Sequence, residues 1–86
     1  MKTIWKYTIP VDDYSEVVGK RGAVPLHVYP QGERLIDVWM AVDTDRTEVA
    51  YSFFVVGTGH PLPEKAEYIG TVHAGRFVWH VFYSRK

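Results

Sequence analysis

From Val56 to Phe82 the chain reads VGTGHPLPEKAEYIGTVHAGRFVWHVF. Apolar residues alternate there in strand fashion and are broken by Gly and Pro, a pattern that belongs to strands and hairpins. No segment sustains a helical period, so strands joined by turn residues are expected along the whole length. The 86 residues make one small domain, residues 1–86. A domain of that size buries only about 60% of its unfolded surface. Without cysteine it has neither a disulfide nor a thiolate metal site to reinforce it. Its interior must therefore come from aliphatic and aromatic packing, for which the hydrophobic fraction of 47% is sufficient.

Lys2 to Ile9 alternates and is ended by Pro10. Val11 to Val18 admits a turn followed by an edge strand at Ser15 to Gly19. One short helix near residues 12–18, capped by Asp13 or Ser15, would instead make the fold α+β. Leu26 to Tyr29 lies between Pro25 and Pro30, which remove ladder donors and place it at a sheet edge. Arg34 to Val42 is the central strand, with Ile36, Val38, Met40 and Val42 on one face and Leu35, Asp37, Trp39 and Ala41 on the other. Glu48 to Val56 is apolar on both faces and should be covered on both.

A two-residue turn at Ala74-Gly75 would set Val72 opposite Phe77, Gly70 opposite Trp79 and Tyr68 opposite Val81, with the indole over the glycine. The other face would pair Ile69 with His80 and Thr71 with Val78. The expected fold is all-β: a small antiparallel barrel or sandwich of six to seven strands.

Ten basic residues balance ten acidic ones. Nucleic-acid binding draws on an excess of positive charge, so this balance disfavours it. Near-zero net charge permits a homo-oligomer. The sequence shows no signal peptide and no run of roughly 20 apolar residues, so a cytoplasmic protein with no membrane span is expected. Three tryptophans, six tyrosines and four phenylalanines exceed what so small an interior absorbs. Some should lie at the surface, and Trp39, Tyr29 and Tyr51 are the candidate interface.

The best-marked connection is Gly57-Thr58-Gly59-His60-Pro61-Leu62-Pro63. Its glycines permit unusual backbone angles, and Pro61 and Pro63 stiffen its second half. One reading is a rigid loop offering backbone N–H groups, the Thr58 hydroxyl and an imidazole to a polar ligand. The plainer reading is a turn that His60 staples to backbone. Both stay open, and the candidate ligand-binding residues are Gly57, Thr58, Gly59, His60 and His80. Four histidines (His27, His60, His73, His80) have no spacing typical of zinc ligands, so no metal and no cofactor is expected. Asp43-Thr44-Asp45 lacks the glycine and distant glutamate of a calcium loop. No nucleophile motif is present, and no catalytic residue is assigned.

The opening Ile4-Trp5-Lys6-Tyr7, the segment Gly22-Ala23-x-x-Leu26-His27-Val28 and the central Val38-Trp39-Met40-Ala41-Val42-Asp43 recur in one family. So do Val56-Gly57-Thr58-Gly59-His60-Pro61, Tyr68-Ile69-Gly70-Thr71-Val72 and Phe77-Val78-Trp79-His80-Val81-Phe82. On these motifs the whole chain resembles a family of short bacteriophage and bacterial proteins known only as a domain of unknown function. Pro25 departs from that pattern and is expected to shorten the edge strand. The resemblance implies a phage or prophage source and no chemistry. The function expected is a non-enzymatic binding protein acting on a host or phage macromolecule, with a host or phage protein as partner, in the host-cell cytoplasm. The alternative is a protein that binds or sequesters a nucleotide-like or other polar metabolite through Gly57 to Pro63.

Overall fold

The computed structural model describes residues 1–85. Seven strands alternate with turns: β1 (Lys2–Pro10), β2 (Ser15–Lys20), β3 (Val24–Gln31), β4 (Leu35–Asp43), β5 (Glu48–Gly57), β6 (Glu67–Ala74) and β7 (Phe77–Arg85). They form two antiparallel sheets, one ordered β1-β4-β3 and the other β2-β5-β7-β6. The fold is all-β, with no helix among the described residues. The helical alternative over 12–18 fails because Ser15 to Lys20 pair with Phe53 to Glu48 instead, at a period of two.

The two sheets stack on one interior. Ile36, Val38, Met40 and Val42 of β4 are at most 4% exposed and join Ile9 of β1 and Val28 of β3. Against them lie Phe53 and Val55 of β5, Val72 of β6, and Val81 and Tyr83 of β7. Each fully buried aliphatic side chain is worth about 1.5–3 kcal/mol by area. On the opposite face of β4, Asp37 is buried between its neighbouring strands. It accepts hydrogen bonds from Thr8 Oγ1 of β1 at 2.7 Å and from Gln31 Nε2 of β3 at 3.3 Å, so one carboxylate ties three strands together.

The chain passes from one sheet to the other at Lys20 to Ala23, where Gly22 takes φ +78°. Tyr51 of β5 holds this corner: its hydroxyl donates to the Lys20 carbonyl and accepts the Ala23 N–H at 3.1 Å. Tyr51 is 1% exposed, which corrects its place among the interface candidates. It sits on the inward side of β5, and its polar tip is satisfied inside. The nearby Tyr7 hydroxyl is buried with no hydrogen-bond partner among the described residues.

Two expectations about register are also corrected. Pro25 does not shorten β3; the pairing with β4 shifts between Pro25 and His27, and the strand continues to Gln31. In the last hairpin Ala74 pairs with Phe77, so the turn is Gly75-Arg76 rather than Ala74-Gly75. Gly75 has φ +62° while Arg76 stays in the ordinary region, the pattern of a type II′ hairpin. Val72 therefore faces Trp79, and the register slips between Tyr68 and Gly70, so that Tyr68 faces Phe82 and Gly70 faces Val81. The space at Gly70 serves Val28, whose Cγ2 lies 2.7 Å from where a Cβ would stand. It brings β3 and β6 together and does not seat the indole.

Burial raises the Tyr7 phenol above the ordinary value of 10.0, and the charges of Tyr51 and Glu48 add to the effect. The folded state thus holds this proton more tightly than the unfolded chain. That contribution is complete below pH 10 and is lost as the pH climbs through the folded value. Tyr51→Phe should cost about 1–3 kcal/mol, because it removes two hydrogen bonds at the corner and leaves the Ala23 N–H and the Lys20 carbonyl only their own long bond of 3.3 Å. Tyr7→Phe should be neutral or stabilising and should lessen the alkaline loss. Urea unfolding of both variants, at neutral pH and above pH 10, checks the opposite signs.

Candidate functional site

The outer face of the four-stranded sheet carries the residues that the interior has no place for. β5 ends at Gly57, whose carbonyl accepts the His60 N–H at 3.1 Å and closes a tight turn. Gly59 sits in that turn with φ +90°, a region costly for any residue with a Cβ. The His60 ring folds back over Gly57, 3.4 Å from where a Cβ would be. This turn presents Thr58 to β7. Thr58 Oγ1 lies 2.8 Å from His80 Nε2. On the other side of the ring, Thr71 Oγ1 of β6 lies 2.9 Å from His80 Nδ1. Tyr68 adds its hydroxyl 2.6 Å from Thr71 Oγ1. Four side chains from the loop, β7 and β6 thus form one continuous hydrogen-bonded chain.

Gly57, Thr58, Gly59, His60 and His80 lie around one open hollow of about 240 Å³. Its apolar wall is Val56, Leu62, Tyr68 and Phe82, and among the described residues no Asp, Glu, Lys or Arg lines it. A second hollow of about 300 Å³ opens beneath Pro61 to Pro63, lined also by Asp13 and Phe54. Val56, His60 and Leu62 line both.

An aromatic row crosses the same face. The Tyr14 ring, just ahead of β2, lies 5.6 Å from Phe54 of β5. Phe54 is the register partner of Phe82 on β7. The Phe82 ring lies 5.5 Å, edge-on, from Tyr68 of β6. Both ends of the row are polar and exposed. Tyr14 donates to Glu16 Oε2 at 2.9 Å and Tyr68 joins the His80 chain.

The remaining candidates lie elsewhere. Trp39 and Tyr29 are on the outer face of the three-stranded sheet, the opposite side of the sandwich. There Trp39 packs against His27, with ring centroids 5.9 Å apart, and Tyr29 is 61% exposed. Sequence reasoning misses Thr71, Tyr68, Tyr14, Phe54 and Phe82 as members of the site. The usable signal is the hairpin: a turn moved to Gly75-Arg76 sets Thr71 beside His80. Among the described residues, no group of three or more His, Asp or Glu is placed to hold a metal ion.

Thr71→Val removes the middle link of the chain and leaves His80 Nδ1 without its partner. It should lower unfolding stability by about 1 kcal/mol. His60→Ala, at an exposed position, should stay within about 0.5 kcal/mol of the parent. Thermal and urea unfolding of the two variants separates a built polar chain from an incidental one.

The comparisons with known proteins bear on the whole chain at once. No curated protein and no solved structure matches it. One family does, a domain of unknown function designated DUF7352, whose sequence profile spans residues 1–86. The chain belongs to the DUF7352 family.

Proposed function

We propose that this protein is a non-enzymatic binding module that engages a partner protein through the outer face of the four-stranded sheet. The observation that carries the reading is the row Tyr14–Phe54–Phe82–Tyr68, with Leu62 beside it. The interior is filled without these residues. Tyr14, Leu62 and Tyr68 are 46%, 68% and 58% exposed. A contiguous apolar patch held open to water on a small domain marks an interaction site. Aromatic side chains supply most hot-spot energy because they bury large area at little entropic cost. The tyrosine hydroxyls at either end fit a polar rim around such a centre.

Two other classes fit less well. Thr58 and His80 have the spacing of a nucleophile and its base. The third group, however, is the Thr71 hydroxyl. It cannot stabilise an imidazolium as the carboxylate of a catalytic triad does. Nucleic acid would need basic residues along the row, and the overall charge balance provides no excess of them. The resemblance drawn from the sequence motifs adds the setting proposed here: a phage or prophage protein in the host cytoplasm, acting on a host or phage protein. A second copy of the chain is the other partner to be looked for.

The test is affinity capture from bacterial lysate with the wild-type chain and with Tyr14→Ser/Tyr68→Ser, followed by titration of the captured protein in pure form. The double variant should remain folded and bind at least about tenfold more weakly, the loss of one or more hot-spot contacts. Equal affinity of wild type and variant would remove the reading.

A further inference from the structure

The chain Thr58–His80–Thr71–Tyr68 can be counted proton by proton, and the count holds for either imidazole tautomer. Three hydroxyls and a neutral imidazole carry four protons, while the chain has three links. One donor is therefore left over: on Thr58 when Nε2 carries the ring proton, and on Tyr68 or Thr71 when Nδ1 does, according to which of those two hydroxyls donates to the other. With a second proton on the ring, both nitrogens donate outward to their threonines. When Thr71 donates on to Tyr68, Thr58 and Tyr68 then each have a hydroxyl proton free. Both of these end residues line the same hollow.

From this we infer that the hollow is a binding site for a small carboxylate with a flat apolar body, and that it takes up a proton on His80 when the anion binds. The apolar body packs on Phe82, Leu62 and Val56, and the carboxylate oxygens accept from Thr58 and Tyr68. No acidic side chain is among the described lining residues to repel an anion at close range; Asp13 lines the adjoining hollow. No Lys or Arg is among the described lining residues, so imidazolium is the counter-charge within the hollow, with Arg76 in an adjoining one that shares Thr58 and His60; this matches a monoanion and not a phosphate dianion. The hollow is below the usual range for drug-sized ligands of roughly 300–1,000 Å³, so the acid is of single-ring size.

The groups facing His80 are few. Val56 faces it from β5 and Thr71 from β6, while the loop contributes Thr58 and His60. Besides His80, the ionisable side chains among the described lining residues are His60 and Tyr68. The inference does not rest on the protein-partner reading: either can fail while the other stands.

Benzoate is the probe, with benzamide as its uncharged counterpart, titrated into the full chain labelled for NMR. Benzoate should give saturable shifts at Thr58, Tyr68, Thr71 and His80, and its affinity should rise by up to about tenfold for each unit the pH falls. The His80 ring resonances, distinct from those of His60, should report protonation at a higher pH in the presence of benzoate. Thr58→Val and Tyr68→Phe should each weaken benzoate about five- to tenfold, and benzamide should show no such pH dependence. Benzoate shifts that never saturate, binding with the same pH dependence as benzamide, or undiminished binding by both variants would each overturn the inference.

Discussion

The inner face of β4, packed against β5 and β7, is the constraint on which the other features depend. A chain of this length encloses one interior, and strand geometry allows each strand to give it only every second residue. Ile36, Val38, Met40 and Val42 take those places on β4, Phe53 and Val55 on β5, and Val81 and Tyr83 on β7. Their chain neighbours Phe54, Val56, His80 and Phe82 are thereby placed on the outer face. The candidate site is the other half of the strands that build the core. That is why its apolar wall and its polar chain could assemble on so small a domain without a separate pocket.

Much of this is legible in the residues. The alternation of β4, the prolines flanking β3 and the short β2 give the right strands with the right central and edge positions. Register is what stays hidden. The hairpin turn moves by one residue because Gly75, not Ala74, adopts the positive φ. The slip near Gly70 answers to Val28, which is distant in sequence and on the other sheet. A contact between sheets leaves no local mark; the turn placed at Ala74-Gly75 is what sets Thr71 opposite Val78 and Tyr68 opposite Val81. Tyr51 is hidden for a different reason. A surplus of aromatics says that some are exposed, and only the parity of β5 says which.

The residues of the candidate site favour the proposed recognition role. Hydroxyls on both sides of His80 hold the ring in place, whereas a carboxylate there would have prepared it for general-base work. The row from Tyr14 to Tyr68 then places rigid apolar area next to a few directed polar groups, the composition common to binding surfaces of many kinds.

A division of labour between two faces of one sheet underlies both the core and the site. Its most direct test is the unfolding free energy of matched single variants, Val81→Ala and Phe53→Ala inside, Tyr14→Ser and Tyr68→Ser outside, measured in urea. The inner changes should cost about 2–5 kcal/mol through lost burial and cavity. The outer ones should cost less than about 1 kcal/mol. Outer variants as damaging as the inner ones would mean that the aromatic row is part of the core, and the recognition surface would have to be given up.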